Sequence, residues 1–295
     1  LTNKSILITG GAGFIGSHLS EKLIELGYRV RVIDNLSQGN LEWVHEEAEF
    51  FEGDILDRNL LKKVFDGASG IFHIAAMSKV APSIDKAEFC TEQNVIGTLN
   101  ILIVAKDTNV KKVVYSSSSS YYGNSIIPHH EGMLPNPLNP YALSKYVGEQ
   151  YCELWTKLYG LPTISLRYFN VYGLRQPKEG LYALVLGIFL KQKKEGRPLT
   201  IHGDGSQRRD FIHVRDVVEA NISAYNSPAS GMVLNVGSGT NISVNELADL
   251  ISEEKVYEAR RQGDADETLA DISKIQRILN WMPKVSFKEG LKDLM

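Results

Sequence analysis

The chain has 295 residues, of which 43% are hydrophobic and 23% are charged, and its formal net charge is −3. This composition is typical of a folded globular protein, and the near-neutral charge argues against a nucleic-acid partner, which usually selects a basic surface. The longest apolar run, residues 181–190, is shorter than the roughly 20 residues that cross a bilayer, so we expect no membrane partner. Two cysteines, Cys90 and Cys152, cannot form a disulfide framework, and we expect a cytoplasmic protein.

Strands and helices alternate through the first half of the chain. Short apolar strands end in glycine, aspartate, alanine or serine residues, and Gly27 stops the first helix at the expected position. Strands separated by helices of this length are typical of a parallel sheet with helices on both faces, so we predict a Rossmann-type doubly wound α/β fold. The predicted strands are 5–9, 29–33, 70–74, 113–116 and 163–167, and the predicted helices are 15–26, 60–65, 90–109 and 141–159.

The pattern changes after Asn170, where loops rich in glycine, proline and charged residues surround short helices near 182–195 and 244–251. We therefore predict a first domain over residues 1–170 and, mainly over 171–295, a smaller C-terminal α/β lobe without a core of its own. A segment near 210–236 is expected to return to the first domain.

A glycine-rich turn, residues 10–16, directly follows the first strand and opens the first helix. Its glycines permit a tight turn, close approach of the backbone to a pyrophosphate, and close packing of helix on strand. The helix N-terminus then presents N–H groups and a positive dipole end to phosphates. An ordinary glycine-rich loop is the alternative, but strand, turn and helix all agree with a dinucleotide site. Residues 1–170 are therefore predicted to bind a dinucleotide.

Asp34 ends the second strand, about 20 residues beyond the turn, where a carboxylate would receive the ribose hydroxyls. A carboxylate repels a 2′-phosphate, which favours NAD over NADP. The alternative is that Asp34 only caps a turn with Asn35. Arg29 and Arg31 precede the aspartate within the strand and are poorly placed to receive a phosphate.

Tyr141 and Lys145 are four residues apart at the start of a helix and so share one face. A phenol has a pKa of about 10, but a nearby ammonium and an oxidised nicotinamide favour the phenolate, giving a general base. The serine cluster 116–120 lies at the end of a preceding strand, where ligands bind in such sheets. A surface lysine beside a half-buried tyrosine, and a flexible serine linker, are the alternatives.

Motifs along nearly the whole chain resemble the extended short-chain dehydrogenase/reductase family, in its NAD-dependent sugar epimerase/dehydratase branch, which includes the UDP-sugar 4-epimerases. The matching segments are Thr9 to Gly16, Gly53-Asp54-Ile55, His73-Ile74-Ala75-Ala76, Asn94 to Thr98, Ser116-Ser117-Ser118 ahead of Tyr122-Gly123, Tyr141 to Lys145, Arg167 to Gly173, Arg209 to Val214, and Arg261-Gln262-Gly263-Asp264.

The resemblance implies three groups of site residues and no metal. Those implied in catalysis are Ser118, Tyr141 and Lys145. Those implied in NAD binding are Gly10, Gly13, Phe14, Ile15, Gly16, Asp34, Asn35, Asp54, Ile55, Ala75, Ala76, Asn94, Tyr141, Lys145 and Phe169. Those implied in substrate binding are Ser118, Tyr141, Asn170, Arg209, Arg261, Asp264 and Thr268, with the two arginines on the diphosphate.

Two departures from the family pattern affect the functional interpretation. Ser119 and Ser120 stand where dehydratases and decarboxylases of this branch carry acidic residues, which disfavours elimination chemistry. The stretch 252–260 is shorter than is usual before the Arg-x-Gly-Asp motif.

The resemblance implies an NAD-dependent 4-epimerase of UDP-hexoses, acting by transient oxidation at C4 and hydride return. Thr268 stands where a bulky tyrosine would exclude an N-acetyl group, so we expect N-acetyl forms of the substrate to be accepted as well. A UDP-glucuronate 4-epimerase, a nucleotide-sugar dehydratase or reductase, and a non-catalytic NAD-sensing protein are the alternatives. In this family the helices equivalent to 90–109 and 141–159 form a four-helix interface, so a homodimer is expected.

Overall fold

The computed structural model describes residues 4–108, 110–177, 185–259 and 265–295. The strands in this part of the chain are β1 (Ser5–Thr9), β2 (Arg29–Asp34), β3 (Glu49–Glu52), β4 (Ala68–His73), β5 (Val113–Ser118), β6 (Thr163–Tyr168), β7 (Asn170–Tyr172), β8 (Leu199–His202), β9 (Arg208–Arg209), β10 (Phe211–His213), β11 (Met232–Val236), β12 (Ile242–Ser243) and β13 (Lys255–Glu258).

The helices are α1 (Phe14–Glu25), α2 (Arg58–Phe65), α3 (Val80–Asp85), α4 (Ala87–Thr91), α5 (Gly97–Asp107), α6 (Pro140–Tyr159), α7 (Val185–Lys194), α8 (Val214–Asn226), α9 (Val244–Asp249), α10 (Ser273–Leu279) and α11 (Phe287–Lys292). A π-helical turn, Glu92–Ile96, joins α4 to α5, so the long helix predicted over 90–109 contains a wider turn near its start. Two short 3₁₀ helices follow β2 and β5, at Leu41–Trp43 and Ser119–Tyr122.

The central sheet has seven strands in the order β11-β6-β5-β4-β1-β2-β3, and all of its neighbouring strands are parallel. The chain leaves β1 toward one edge through β2 and β3 and then returns to build the other edge from β4. The carboxyl ends of β1 and β4 therefore border a crevice, which is where open α/β sheets bind ligands. This topology confirms the predicted Rossmann-type fold.

The local sequence explains the position of α6, the helix that carries Tyr141 and Lys145. The Asn139 side chain accepts a hydrogen bond from the backbone N–H of Ala142, and Pro140 occupies the first helical turn, where its missing N–H is not needed. Gly160 ends the helix at a positive φ of 67°. The helix start is thus fixed, and the start is the part that faces the crevice.

Apolar side chains pack on both faces of the sheet and form a third cluster in the C-terminal lobe. This third cluster includes Phe189, Ile201 and Leu247, all fully buried. The expectation of a lobe without its own core is therefore wrong, since α7, β8 and α9 close a separate apolar centre. β11, within the segment near 210–236, pairs with β6 in the main sheet. The domain boundary at residue 170 stays a prediction.

Candidate active site

A cavity of about 920 Å³ lies at the carboxyl edge of the sheet, between the Rossmann domain and the lobe. It collects side chains from the ends of β1, β2, β4, β5 and β6 and from the loops of the lobe. The site residues expected from the sequence that line it are Gly10, Gly13, Phe14, Ile15, Asp34, Asn35, Asp54, Ile55, Ala75, Ala76, Ser118, Tyr141, Lys145, Phe169, Asn170, Arg209 and Thr268. One cavity therefore joins the expected cofactor residues to the expected substrate residues.

Among the described residues, two of those expected do not line this cavity. Gly16 lies behind it, where a Cβ atom would stand 2.1 Å from the Gly10 carbonyl oxygen, so its role is to let α1 pack on the turn. Asn94, expected along the cofactor path, is only 1% exposed and lies behind the wall. Arg261 and Asp264 lie outside the described residues.

Asn94 acts on the cavity through its neighbours. Its amide oxygen accepts a hydrogen bond from the backbone N–H of Met77 at 2.8 Å, and its amide nitrogen donates to the Met77 carbonyl at 2.9 Å. The same nitrogen donates to the Ser144 hydroxyl at 2.9 Å. Asn94 thus fixes the loop after β4 to the helix that carries Tyr141.

The glycine turn fits a dinucleotide diphosphate. Gly10 has a φ of 72°, and a Cβ atom there would come within 2.7 Å of the backbone nitrogen of Ala75. Gly13 is the N-cap residue of α1, and no side chain caps the helix. The first N–H groups of α1 therefore face the cavity without a protein side chain over them, which is the arrangement that binds phosphate.

Asp34 fits a ribose at the end of β2. Its carboxylate accepts hydrogen bonds from the backbone N–H groups of Ala12 at 3.0 Å and Leu36 at 2.9 Å, and it also lines the cavity. Burial raises the pKa of Asp34, while the two backbone hydrogen bonds act in the opposite direction. The aspartate therefore shapes the turn and also presents a carboxylate to the cavity. Arg31 instead binds Glu49 at 3.0 Å, on the side away from this site.

Asp54, expected beside the adenine, belongs to a polar cluster at the same end of the cavity. Its carboxylate accepts a hydrogen bond from the Asn35 amide at 2.8 Å and from the backbone N–H of Leu56 at 2.9 Å. The Gln93 amide approaches it at 3.3 Å. Together with the glycine turn and Asp34, this cluster gives a site whose residues fit NAD.

Ser118, Tyr141 and Lys145 line the same cavity as the expected cofactor and substrate residues. The Ser118 hydroxyl donates a hydrogen bond to the Ser120 hydroxyl at 3.1 Å, and its polar interaction with the Tyr141 phenol lowers the pKa of that phenol. The Lys145 ammonium, one helical turn further on, lies 4.6 Å from the centre of the Tyr115 ring. The start of α6 is also tied to α3, since the Tyr141 backbone N–H donates to the Ser83 hydroxyl at 3.1 Å. The arrangement can hold a hydroxyl group and move its proton.

The expected lowering of the Tyr141 pKa by Lys145 is not what the structure shows. Burial raises the pKa of Tyr141, and the polar interaction with Ser118 offsets part of this rise. Burial also lowers the pKa of Lys145 to about 8. Desolvation is thus the largest effect on the pKa of both groups in the protein alone.

A buried ion pair behind the serine cluster was not foreseen from the sequence. The Arg167 guanidinium donates two hydrogen bonds to Glu149, at 2.8 and 2.7 Å, and both side chains are almost completely buried. Glu149 also accepts the Ser117 hydroxyl, and Arg167 donates to the Tyr122 hydroxyl at 2.9 Å. The pair therefore holds the end of β5, and with it Ser118, against α6.

In the lobe, the fully buried Asp210 joins three segments that are distant in sequence. Its carboxylate accepts hydrogen bonds from the backbone N–H groups of Ser238 at 2.7 Å, Gly239 at 3.1 Å and Ala270 at 3.0 Å. It also accepts the Ser238 hydroxyl at 2.7 Å. Every acceptor direction of this carboxylate is used within the protein, so it organises the site rather than binding a ligand.

Two of the expected substrate residues, Asn170 and Thr268, are hydrogen-bonded to the backbone of Asp210. The Asn170 amide donates to the Asp210 carbonyl at 3.1 Å and to the Thr268 hydroxyl at 3.2 Å, and that hydroxyl accepts the Asp210 N–H at 3.1 Å. Arg209 donates to the Asp266 carbonyl at 3.2 Å and lines the cavity beside them. Asn170 and Thr268 are therefore held together with Asp210, and Arg209 is fixed separately through the Asp266 carbonyl.

Lys79 and Gln176 also line the cavity, and neither was expected from the sequence. Gln176 is 5% exposed, and both polar atoms of its amide are buried without a hydrogen-bond partner among the described residues. A buried amide without a partner is unfavourable, which is consistent with a binding wall. Within the described ranges, no group of three metal-ligating side chains is arranged to hold a metal ion, and none of the helices is long and apolar enough to cross a membrane.

Comparison with known proteins identifies the family. The family model described as "NAD dependent epimerase/dehydratase family" matches residues 6–237. A putative UDP-glucose 4-epimerase of Methanocaldococcus jannaschii is 41% identical over 97% of this chain and 96% of its own length.

Two solved structures share the fold over their whole length. The UDP-glucose 4-epimerase of Thermotoga maritima, solved with UDP-glucose, superposes with a TM-score of 0.95 at 40% identity, covering 98% of this chain and 97% of its own. The UDP-N-acetylglucosamine 4-epimerase of Methanobrevibacter ruminantium has a TM-score of 0.94 at 35% identity, covering 100% and 97%. These findings confirm the expected isomerase class and NAD as the cofactor. The chain belongs to the NAD-dependent epimerase/dehydratase family.

Proposed function

We propose that this enzyme is a 4-epimerase of UDP-hexoses that interconverts UDP-glucose and UDP-galactose and accepts their N-acetyl forms. The observation that carries the proposal is that Ser118, Tyr141 and Lys145 line one cavity together with the expected cofactor and substrate residues, and that Ser118 lowers the pKa of Tyr141. A proton-transfer group in this cavity can serve both the oxidation and the reduction of one sugar carbon.

In the proposed mechanism, Tyr141 moves the proton of the sugar 4-hydroxyl. Its phenol oxygen takes that proton as the 4-keto sugar forms and returns it when the alcohol is restored, so the enzyme is unchanged after a cycle. The Ser118 hydroxyl, which lowers the pKa of the phenol, would hold the reacting oxygen and relay the proton. Bound NAD supplies the hydride acceptor and donor and, when oxidised, a positive charge that favours the Tyr141 phenolate.

Lys145 acts on the same end of the site. With a pKa of about 8 it keeps its charge at neutral pH. Its ammonium lines the cavity with Tyr141, and it would bind the nicotinamide ribose. Arg209, with the expected Arg261, would hold the substrate diphosphate, and the sugar alone would turn over between the two hydride transfers.

The substrate residues favour hexoses with and without an N-acetyl group. Thr268 is small, and its hydroxyl is engaged by Asn170 and Asp210, so this wall contributes only a short side chain. Ser119 and Ser120 line the cavity where an acid would be needed for elimination, which disfavours a dehydratase. Support for N-acetyl acceptance also comes from the similarity to a UDP-N-acetylglucosamine 4-epimerase.

A homodimer is part of the proposal. The neighbouring helical segments α4 to α5 and α6 expose large apolar side chains that a monomer would leave in water. Those between 41% and 62% exposed on these segments are Phe89, Ile96, Leu143, Leu154, Leu158 and Tyr159. Light scattering after size-exclusion chromatography tests this: a mass near 32.8 kDa rather than twice that value would rule out the dimer.

The activity is tested by proton NMR of purified enzyme with UDP-galactose and UDP-N-acetylgalactosamine, without added NAD. We expect both to convert to the gluco sugars up to an equilibrium ratio, because NAD is regenerated in each cycle and stays bound. Conversion of UDP-galactose alone would remove the N-acetyl part of the proposal. Conversion of neither, with NAD present in the protein, would reject the substrate assignment.

A further inference from the structure

Lys79 occupies a loop that is held rigidly beside the catalytic helix. It follows β4 and precedes α3, and it lines the cavity. On one side, Met77 is fixed through both of its backbone hydrogen-bonding groups to Asn94. On the other side, the Ser83 hydroxyl accepts the Tyr141 N–H. The position of Lys79 is therefore set by contacts to the catalytic end of the cavity.

The ammonium of Lys79 has no counter-charge within the part of the chain that the structure describes. No hydrogen bond or ion pair joins it to a described residue, and its side chain is half-buried. Burial lowers the pKa of Lys79 to about 8, and no carboxylate acts in the opposite direction. An unpaired, desolvated ammonium is unfavourable unless a ligand supplies the anion.

Among the described residues, the other carboxylate, lysine and arginine side chains that line the cavity are those of Asp34, Asp54, Lys86, Lys145 and Arg209. The carboxylates Asp34 and Asp54 lie at the ends of the outer strands, where the adenosine of the cofactor is expected. Lys145 and Arg209 lie toward the catalytic and substrate residues. Lys79, tied to the start of α6, adds a cation to the latter group.

We propose that Lys79 binds an anionic oxygen of the nucleotide-sugar substrate next to the hexose and so contributes to substrate specificity. This inference rests on the proposed function and names a residue that adds to it. Two anionic oxygens have the required chemistry: one on the sugar-linked phosphate, present in every UDP-sugar, and the carboxylate of a uronic acid, present only in UDP-glucuronate and UDP-galacturonate. An ammonium on a flexible stem can reach either as a point charge.

The test measures binding separately from catalysis. Three proteins are compared, all carrying Tyr141→Phe: one that keeps Lys79, one with Lys79→Met and one with Lys79→Arg. Calorimetry gives the dissociation constants of UDP-galactose and UDP-galacturonate for each. NAD released on denaturation is quantified for each protein. Lys62→Met, which removes the same charge from an exposed position on α2, is the matched control and should leave all values unchanged.

We expect Lys79→Met to weaken binding by about tenfold or more, and Lys79→Arg to restore most of the loss. Loss toward both ligands assigns Lys79 to the phosphate, and loss toward UDP-galacturonate alone assigns it to the uronate carboxylate. Unchanged affinity for both ligands overturns the proposal, as does a loss of NAD with unchanged sugar binding. Failure of the proposed function gives a different result, because the wild-type enzyme would then bind UDP-sugars without converting them.

Discussion

The two halves of the cavity are built in different ways. The cofactor half comes from short continuous stretches, since residues 10–16 and Asp34 take their positions from one strand–turn–helix unit and its neighbouring strand. The substrate half is assembled from segments around residues 170, 210, 238 and 268, joined by one buried carboxylate. Local backbone geometry thus determines the first half, and long-range hydrogen bonding determines the second.

This difference predicts that the halves can be damaged separately. A change in the cofactor half should reduce NAD binding and leave UDP-sugar binding intact, and a change at Asp210 should do the reverse. A change at Tyr141 should remove turnover and leave both ligands bound. The substitutions below test these three outcomes and then compare the stability of the two regions.

Tyr141→Phe should have the largest effect. Removing the phenol oxygen removes the group that carries the substrate proton, so we expect kcat to fall by about 10³-fold, within the range for a lost general acid–base group. NAD content and thermal stability should stay near wild type, because the ring and its packing remain. NMR turnover and NAD release measure both. Tyr146→Phe, on the same helix with its ring against Tyr121, is the control, and equal activity of the two variants would contradict the assignment.

Asp210→Asn should break the substrate half. The asparagine amide accepts hydrogen bonds only at its oxygen atom. Its nitrogen, a donor, would therefore face backbone donors such as the N–H groups of Gly239 and Ala270. We expect the KM for UDP-galactose to rise by about ten- to a hundredfold, with NAD content unchanged. Asp107→Asn, an exposed change on α5, is the control. Loss of NAD from the Asp210 variant would show that the two halves are not independent.

Asp34→Asn should have the opposite and smaller effect. The carboxylate that lines the cavity becomes an amide, and the charge that accepts ribose hydroxyls is lost, so NAD affinity should fall by about tenfold. Calorimetry should show UDP-sugar binding unchanged once NAD is saturating, and the preference for NAD over NADP should narrow. A variant that keeps its NAD and still rejects NADP would mean that Asp34 only shapes the turn with Leu36.

The same difference explains what the sequence could and could not reveal. The alternation of strands and helices follows from local pattern, as do the glycine turn, Asp34 and the Tyr141–Lys145 pair, which the structure places at one cavity. Glu149 and Arg167 are separated by a helix end and a strand, so nothing local indicates that they form one ion pair.

Solvation and long-range contacts account for the remaining differences. The sequence spacing suggested that Lys145 lowers the Tyr141 pKa, whereas burial, which spacing does not show, raises it. The separate core of the lobe depends on Phe189, Ile201 and Leu247 from three distant elements. Lys79 gave no signal because one lysine in a loop is usually a solvated surface residue.

The smallest expected effect is on stability in acid. Two buried histidines, one in each region, should change how the free energy of unfolding depends on pH. His73, under the cofactor half, is hydrogen-bonded to the hydroxyls of Thr9 at 2.8 Å and Thr98 at 3.0 Å, and burial lowers its pKa to about 3. His213, on the lobe side, has its pKa lowered to about 4 by burial and by Arg215. Both histidines are therefore neutral in the folded protein at pH values where an unfolded histidine takes up a proton.

The sign of the pH dependence follows from these directions. Above the unfolded pKa of 6.5, neither state is protonated and the stability is complete. As the pH falls below 6.5, both histidines bind a proton in the unfolded chain but not in the folded protein. The free energy of unfolding therefore decreases by up to about 1.4 kcal/mol per pH unit for each histidine. His73→Gln should remove one such contribution, and His213→Gln the other, with the loss at His73 continuing to lower pH because its folded pKa is lower. Urea denaturation between about pH 7 and pH 4.5 measures the difference between each variant and wild type, which cancels the carboxylates common to both. Parallel curves for wild type and His73→Gln would show that this histidine is not kept neutral beneath the cofactor half.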